Sequence, residues 1–371
     1  MTTTGKLQDS LLNWFQKNQR DLPWRHSYEP YQIWISEIML QQTQMDRVTV
    51  FYTRWMEAYP DLTTLASSSE DQILKYWEGL GYYSRARNIL KTAKILIKKH
   101  KGEIPSRRKD LLALPGIGPY TAGAIASISF NRDVPVVDAN IERIFARLFN
   151  IDLIPGSPEA KQINWEKAEE ILPKGYARNF NQALMELGAL ICRPKQPNCS
   201  VCPVAEHCLA LQYGMIPERP TPKKSTKIIP INMATGVLLH KGLIFIQQRL
   251  ADDVWGALWE FPGGRMEKGE TAEATVIREY LEETEFMVRV DSKITTTTHH
   301  YTRYKVTLHC FLVSLEQSNS DPVLHAAQEF HWLPFEQLDQ YAFPAGHRKL
   351  IEFIRKSNFL LHQPTCQPDQ E

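Results

Sequence analysis

A single carboxylate, Glu37, interrupts the apolar run WISEIMLQQTQ, which extends from Trp34 to Gln44. At helical spacing its neighbours are mostly apolar, namely Ile33, Trp34, Leu40 and Gln41. Burial on such a face would raise the pKa of the carboxyl group, because desolvation disfavours the anion. A carboxyl group that keeps its proton near neutral pH can serve as a general acid. The alternative is a surface glutamate on an ordinary amphipathic helix.

A second carboxylate occurs in the stretch VPVVDANIERIFARL, which begins at Val134. Asp138 ends the apolar residues and opens a helical pattern. The residue types alone predict that Asp138 is a helix N-cap, the common role of an aspartate in this position. A helix N-terminus also favours an ionised carboxylate over a neutral one.

Four cysteines fall within 17 residues at the spacing C-x6-C-x2-C-x5-C: Cys192, Cys199, Cys202 and Cys208. Cys310 and Cys366 are isolated. The spacing differs from the two C-x2-C pairs of the commoner zinc ribbon, and disulfides are not expected in a reducing compartment. Four thiolates in one loop suit either a [4Fe–4S] cluster or a zinc ion, and spacing alone does not separate the two.

The segment LPGIGPYTAGAI, Leu114 to Ile125, has the composition of a tight turn between two helices. Gly116 and Gly118 would allow a positive φ and a close approach of the backbone to a ligand. The helix that follows would offer free N–H groups, so a nucleic-acid phosphate could bind there without a cationic side chain. A plain helical hairpin is the alternative.

A third set of acidic residues lies in GRMEKGETAEATVIREYLEETEF. Gly264, Glu270 and Arg278 precede Glu279, Glu282 and Glu283 at a spacing that resembles the Nudix box. The last three are at helix positions i, i+3 and i+4, where they could bind Mg²⁺ bridged to a diphosphate. Glu285 replaces the final glycine of the box, and a non-glycine residue with positive φ there would cost about 1–2 kcal/mol.

The elements that must position these groups divide the chain in two. From Leu7 to about Leu211 the pattern is helical, with amphipathic runs near 7–18, 30–45, 46–58, 70–77, 84–99, 119–129, 139–149, 164–172 and 178–191. The stretch 218–227, ERPTPKKSTK, has the composition of an exposed linker. Beyond it, INMATGVLLH, LIFIQQRL, FMVRV and YKVTLHCFLV predict strands, while 271–283 and 347–357 predict helices. The second half is therefore expected to be α+β.

Composition is that of an ordinary soluble protein with about two domains, and no apolar stretch is long enough to span a membrane. The polar N-terminus has no signal-peptide pattern, so we expect a cytoplasmic protein. Residues 1–225 hold 29 Lys plus Arg and 23 Asp plus Glu, whereas residues 226–371 hold 14 and 19. The halves thus carry +6 and −5, and the first half is expected to bind an anionic partner.

Five motifs together resemble one family. WISEIMLQQTQ, WEGLGYYSRARN (77–88), LPGIGPYTAGAI, VVDANIERIFAR and the cysteine loop occur in the order and approximate spacing of the A/G-specific adenine DNA glycosylases, the MutY family. The resemblance is dense over residues 7–211. It implies an all-α helix-hairpin-helix glycosylase domain with an iron–sulfur loop, and an enzyme that removes adenine mispaired with 8-oxoguanine or guanine. Iron–sulfur is therefore preferred over zinc.

The resemblance assigns roles to four residues around the reaction. Glu37 looks like the general acid that protonates adenine at N7, and Asp138 looks like the carboxylate that stabilises the oxocarbenium sugar, either by charge or by transient covalent attachment. Asn140 would orient Asp138 and the attacking water. Tyr120 is at the position where lyase relatives carry a Schiff-base lysine, so a monofunctional enzyme without strong strand cleavage is implied.

The resemblance also names residues that would bind DNA. Trp24, Arg25 and Gln182 would contact the flipped adenine. Gln42, Thr43, Leu80 and Tyr82 would fill or probe the opposite strand, alongside Gly116 and Gly118 of the hairpin. The Nudix-like domain of the family checks for 8-oxoguanine through a loop that often reads Phe-Ser-His. Thr298, His299 and His300 align best with it, and only the final histidine is retained.

The predicted organisation is a glycosylase domain over 1–217 with the cluster loop at 192–208, a linker at 218–227, a Nudix-like domain over 228–360 and a polar tail at 361–371. The resemblance implies a [4Fe–4S] cofactor, double-stranded DNA as partner, a monomer, and a bacterial cytoplasmic location at the nucleoid. Two alternatives stay open. One is a bifunctional chain whose second domain hydrolyses oxidised nucleoside triphosphates with Mg²⁺ bound at Glu279, Glu282 and Glu283. The other is a non-catalytic DNA-binding protein that holds zinc.

Overall fold

The computed structural model describes residues 3–222, 227–301, 303–316 and 321–362. The chain forms two compact units, one of Met1–Ser68 with Ser84–Lys224 and one of Ser69–Tyr83 with Ser225–Glu371. None of the described helices is long and apolar enough to cross a membrane. The predicted linker includes 223–226 and the predicted tail includes 363–371, which lie outside the described residues, so these two boundaries stay predictions.

The described residues before the linker form twelve α-helices. They are α1 Thr3–Asn18, α2 Pro30–Leu40, α3 Met45–Ala58, α4 Leu62–Ser67, α5 Glu70–Trp77, α6 Ser84–His100, α7 Arg108–Leu112, α8 Pro119–Ala124, α9 Ala139–Leu148, α10 Pro158–Ile171, α11 Ala177–Leu190 and α12 Leu209–Gln212. A π-helical turn, Ile125–Ser129, continues α8. The predicted all-α first half is confirmed. Periodicity missed the short α4, α7 and α12. It began α10 six residues late, since Ser157 caps that helix ahead of its apolar run.

Helix α2 is buried nearly all round. Eight of its eleven residues are inaccessible to solvent, including Trp34, Ser36 and Glu37. Pro30 starts the helix, where its missing N–H is not needed. At the other end the guanidinium of Arg85 donates to the carbonyl oxygens of Ile38 at 2.9 Å and Gln41 at 2.6 Å. These bonds satisfy carbonyls that the end of a helix leaves without partners.

The second unit is built on a seven-stranded mixed sheet. Its strands are β1 Ile229–His240, β2 Leu243–Arg249, β3 Trp259–Glu260, β4 Gly263–Arg265, β5 Val288–Tyr301, β6 Tyr304–Leu315 and β7 Ala327–Leu333. The strand order is β3-β2-β1-β6-β5, with β1 and β6 parallel, β4 paired to β1 and β7 paired to β2. Helices α13 Ala272–Thr284 and α14 Ala345–Ser357 complete the unit. The predicted α+β domain is confirmed.

Alternation along the strands divides the core of this unit between the two faces of the sheet. Val237 belongs to the cluster that contains Leu350 of α14, whereas its neighbour Leu238 belongs to the cluster that contains Tyr280 of α13. Successive strand residues point to opposite faces, so each face of the sheet receives one helix. Glu285 ends α13 with φ of 58°, the left-handed conformation predicted from the missing glycine.

The segment Ser69–Tyr83 packs with the second unit although it precedes α6 in sequence. Glu78 accepts from Arg348 Nε at 2.7 Å and from the Phe343 N–H at 3.0 Å. Lys75 donates to the Tyr341 carbonyl at 3.1 Å. Local patterning predicts the helix but not this attachment, because the partners are more than 260 residues away.

Candidate active site

Glu37 is on the buried helix α2, and its side chain is 3% exposed. Desolvation is the largest influence on this carboxyl group and raises its pKa to about 7. A hydrogen bond from the Tyr120 hydroxyl to Oε2, at 2.7 Å, lowers the pKa in part, as does the positive charge of Arg25. The surface alternative for Glu37 is therefore wrong.

Asp138 caps helix α9 and is held by two N–H donors. Oδ1 accepts from the Ile141 backbone at 2.8 Å, and Oδ2 accepts from the Asn140 side chain at 2.8 Å. Its negative charge is near enough to raise the pKa of Glu37. One carboxyl group that favours its proton thus lies near another whose oxygens are stabilised as acceptors.

Tyr120 is in the first turn of α8, close enough to Glu37 and Asp138 for both carboxylates to act on its phenol. Burial raises the pKa of its phenol well above the usual value, and the charges of Glu37 and Asp138 raise it further. The hydroxyl therefore stays neutral and donates to Glu37. Of the hairpin glycines that precede α8, Gly116 has φ of 75°, and a Cβ there would meet Asn88 at 2.7 Å. The prediction of a positive φ at Gly118 is wrong, because this residue is the extended N-cap of α8 with φ of −86°.

The predicted adenine contacts fall into two groups. Arg25 Nε donates to Gln182 Oε1 at 3.0 Å, so the structure brings these two side chains together. Trp24 is 3% exposed and packs edge-to-face on Tyr52, with ring centroids 5.1 Å apart. Sequence reasoning missed Glu186, a buried carboxylate on α11 that accepts from Arg25 and from Arg20. It stands four residues after Gln182, which would have placed it on the same helical face.

The predicted opposite-strand residues occupy different units. Gln42, which is exposed and has φ of 57°, and Thr43 form the turn after α2 in the first unit. Leu80, 6% exposed, and Tyr82, 41% exposed, belong to the segment that packs with the second unit.

The predicted lesion-reading loop is instead the end of strand β5. Thr298 and His300 are exposed, whereas His299 is half-buried between them. His299 lies against Gly346 at the start of α14. A Cβ added to Gly346 would be 3.0 Å from the His299 ring. Strand alternation therefore separates the three residues, with Thr298 and His300 on one face and His299 on the other.

All four predicted metal-ligating cysteines line one cavity: Cys192, Cys199, Cys202 and Cys208. Arg147 Nη1 donates to Cys192 Sγ at 3.3 Å and to the Arg193 carbonyl at 2.8 Å, and Nη2 donates to the Pro194 carbonyl of the same loop. Arg143 donates to the Cys192 carbonyl at 2.8 Å. Four soft sulfur donors beside cationic guanidinium groups fit a metal centre of thiolate ligands.

The acidic residues of the Nudix-like box are engaged by Arg278. Its guanidinium donates to Glu270 at 2.9 Å, Glu279 at 2.8 Å and Glu282 at 3.0 Å. Glu283 points elsewhere, accepting from Gln247 at 2.8 Å. Within the described residues, neither these carboxylates nor the four cysteines are already arranged around one metal position. The carboxylates are engaged in hydrogen bonds within the unit, and the Mg²⁺ site and the hydrolase alternative that depends on it stay predictions.

Comparison with known proteins gives matches for both units. Residues 35–170 match the family model of the HhH-GPD superfamily base excision DNA repair proteins, and residues 234–353 match that of the NUDIX domain. An adenine DNA glycosylase of Buchnera aphidicola (strain Bp) is 38% identical over 262 residues, 70% of this chain and 74% of the relative. Another, from strain APS, is 30% identical over 94% of this chain and 97% of the relative. A solved thermostable thymine-DNA glycosylase is 30% identical with a TM-score of 0.51, and covers 57% of this chain and 99% of its own.

Proposed function

The chain belongs to the adenine DNA glycosylase family, and we propose that it removes adenine with Glu37 as general acid and Asp138 as the carboxylate that stabilises the sugar cation. It is a base excision repair enzyme that cleaves an N-glycosidic bond. The assignment of roles rests on the different surroundings of Glu37 and Asp138. Glu37 is buried with a raised pKa, and Asp138 nearby receives two N–H donors.

Adenine is a poor leaving group because negative charge accumulates on the base as its bond to deoxyribose breaks. A proton delivered to N7 by the Glu37 carboxyl removes that charge. With a pKa of about 7, Glu37 is substantially protonated at neutral pH and its conjugate base is weak enough for ready transfer. The Tyr120 hydroxyl fixes the carboxyl group from the side of α8.

The sugar gains positive charge in the same step. Asp138 offers an anion at the N-terminus of α9, where the backbone and Asn140 hold both of its oxygens. A carboxylate so placed stabilises an oxocarbenium ion either by charge or through a short-lived covalent bond, after which water attacks C1′. Tyr120 is a phenol that keeps its proton and cannot form a Schiff base, so the reaction stops at base removal.

An adenine within a duplex must be flipped out of the stack to reach these groups. Gln182 Oε1 accepts from Arg25 and has a second lone pair for the 6-amino group of adenine, while Arg25 can donate to a ring nitrogen. Trp24 supports this pocket from the core through Tyr52. Guanine carries an acceptor oxygen where adenine carries its 6-amino donor, so Arg25 and Gln182 together favour adenine.

The preferred substrate is adenine opposite 8-oxoguanine or guanine in double-stranded DNA. The opposite strand would be contacted by Gln42, Thr43, Leu80 and Tyr82. A backbone phosphate would be bound by the hairpin glycines, Gly116 and Gly118. Exposed Thr298 and His300 suit contact with the lesion better than half-buried His299 does.

The four cysteines would hold a [4Fe–4S] cluster, since they surround a common cavity and carry soft thiolate donors. When bound, the cluster would tie the loop 192–208 to Arg147 through Cys192 and so fix the surface beside α9. It takes no part in bond cleavage. A brown colour and iron in the purified protein would support this assignment over zinc.

The test is single-turnover release of adenine from duplexes that pair it with 8-oxoguanine, guanine or thymine. We expect the fastest release opposite 8-oxoguanine, slower release opposite guanine and little opposite thymine. The product strand should break only after treatment with hot alkali. Asp138→Asn should still bind the mispair and fail to release the base. A wild-type protein that releases no adenine from any duplex would overturn the proposal.

A further inference from the structure

A third buried carboxylate, Glu186, is not used by the proposed reaction. It is on α11 and 1% exposed. Arg20 donates to it three times, through its backbone N–H at 2.8 Å, Nε at 2.9 Å and Nη2 at 2.6 Å. Burial acts to raise the pKa of Glu186, but the hydrogen bonds from Arg20 together with the charge and hydrogen bonds of Arg25 lower it to about 2. The side chain is therefore an anion locked in one position.

Glu186 also holds Arg25. Arg25 Nη1 lies 3.2 Å from Oε1 and Nη2 lies 3.4 Å from Oε2, so the guanidinium faces the carboxylate with both of its ends. Nη1 donates in addition to the Arg20 carbonyl at 2.9 Å, and Nε donates to Gln182. A guanidinium has five N–H groups, and these described contacts use four of them. One Nη2 hydrogen is left for a base.

We propose that Glu186, braced by Arg20, is a positioning residue that sets the orientation of the base-reading pair Arg25 and Gln182. The proposal rests on the proposed function, because it assumes that this pair reads adenine. Without the carboxylate, Arg25 would be free to rotate about its long side chain and Gln182 would lose a fixed donor. Recognition of the 6-amino group should then weaken more than general binding does.

The same carboxylate should also influence the reaction through Arg25, which it contacts directly. The groups that face Glu37 are Tyr120 from α8, Asp138 from α9 and Arg25 from the turn before α2, and the Arg25 cation lowers the pKa of Glu37. Glu186 offsets that cation. Neutralising Glu186 would leave the positive charge of Arg25 less compensated, so Arg25 would stabilise the Glu37 carboxylate more strongly and Glu37 would deprotonate at a lower pH.

The experiment measures single-turnover release of adenine and of purine, which lacks the 6-amino group, opposite 8-oxoguanine between pH 5.5 and 9. It compares the wild-type chain with Glu186→Gln, Glu186→Asp and Arg20→Met, and uses Glu170→Gln, an exposed ion-paired glutamate on α10, as the matched control. For Glu186→Gln we expect adenine release to slow by roughly ten- to a hundred-fold, a smaller loss for purine, and a high-pH limb shifted to lower pH. Glu186→Asp should recover part of the loss. Arg20→Met should slow adenine release less than Glu186→Gln does, and it should not move the high-pH limb to lower pH, because it removes a positive charge and leaves the Glu186 anion in place.

Two results would overturn the proposal: wild-type rates in Glu186→Gln, or an equal loss for both bases with an unmoved high-pH limb. The second would show a structural role alone. Circular dichroism verifies folding. If Glu186→Gln does not fold, adenine and purine release are compared in Arg20→Met, and an equal loss for both bases, or no loss, overturns the proposal. A wild-type protein that releases no adenine defeats the proposed function itself, whereas an active wild type with indifferent variants defeats only this inference.

Discussion

The two carboxyl groups of the proposed site differ because their surroundings differ. Glu37 is buried on α2 and receives one hydrogen bond among the described contacts, from the Tyr120 phenol. Asp138 is at a helix N-terminus and receives two N–H donors. Desolvation dominates in the first environment and favours the acid, while the second holds both carboxylate oxygens in place as hydrogen-bond acceptors. Opposite chemical roles thus follow from local structure.

The raised pKa of Glu37 predicts how excision depends on pH. Only the protonated form can donate to adenine, so the single-turnover rate should fall about tenfold per unit as pH rises beyond about 7. The excision rate falls as pH rises because deprotonation of Glu37 removes the acid catalyst. Rates measured from pH 5.5 to 9 opposite 8-oxoguanine would check it. A rate that holds constant up to pH 9 would contradict the role of Glu37 as acid.

Replacing Glu37 by Gln should separate activity from stability. Excision should fall by roughly 10²–10⁴-fold because glutamine has no proton to give. Burial raises the pKa of Glu37 from 4.5 to about 7, so the stability that its protonation contributes is present below about pH 4.5 and lost as pH rises through about 7. Glutamine does not titrate. Relative to wild type, the variant should therefore gain up to about 3 kcal/mol between pH 4.5 and 8.

Urea unfolding at several pH values would measure this difference, with Glu170→Gln as the exposed control. A stability difference independent of pH would mean that the Glu37 carboxyl group is not desolvated in solution.

Among the elements, α2 depends on a partner that is distant in sequence. Arg85 at the start of α6 donates to carbonyls at the end of α2 and is 9% exposed. Its replacement by Met should destabilise the chain by about 1.5–3 kcal/mol, because charged hydrogen bonds to buried carbonyls are lost. Excision should fall as well, since α2 carries Glu37. Lys161→Met, exposed on α10, should change neither quantity, and a neutral Arg85→Met would show that the carbonyls find other partners.

Strand β5 gives a prediction that depends on alternation. Thr298→Ala and His300→Ala change the exposed face and should reduce the preference for 8-oxoguanine over guanine opposite adenine, by several-fold each. His299→Ala removes packing on Gly346 and should lower stability by about 1 kcal/mol or more with little change in that preference. Rates on the two duplexes and urea unfolding distinguish the cases. If His299→Ala alone altered the preference, the face assignment would be wrong.

These elements also mark what the sequence allows one to predict. Helical periodicity located α2, and period-two alternation located β1, β2 and β6, because each pattern reflects one buried face. The two-residue β3 and three-residue β4 are too short to show a pattern. The lesion loop was misplaced because β5 extends to Tyr301 by pairing with β6, an interaction that local composition does not report.

The site residues that belong to intact sequence motifs could be predicted, and those outside such motifs could not. Glu37, Tyr120 and Asp138 stand in separate intact motifs, and the structure brings their side chains within electrostatic reach. Glu186 and Arg20 are 166 residues apart, and neither has an unusual local sequence. Their pairing arises only from the packing of α1 against α11 and is visible only in three dimensions.

At the scale of the whole molecule, charge is divided between the halves, +6 for residues 1–225 and −5 for residues 226–371. Binding to a polyanion should therefore depend on salt mainly through the first half. Lys91, Lys94 and Lys98 are exposed on one face of α6, where they place three positive charges close together. We expect Lys94→Met with Lys98→Met to weaken DNA binding at low salt by about tenfold or more.

The dependence of DNA affinity on salt concentration is the sharper measurement, because its slope reports the number of phosphate contacts. Each lost phosphate contact reduces the slope of log affinity against log salt concentration by about 0.9, so the double variant should lose up to about 1.8. Lys293→Met, exposed on β5 in the acidic half, should leave the slope as in wild type. The excision rate of fully bound substrate should also stay at the wild-type value, since neither lysine is near Glu37 in sequence or on its helix. An unchanged slope in the double variant would mean that α6 presents a solvated face away from DNA, and that the excess positive charge of the first half acts elsewhere.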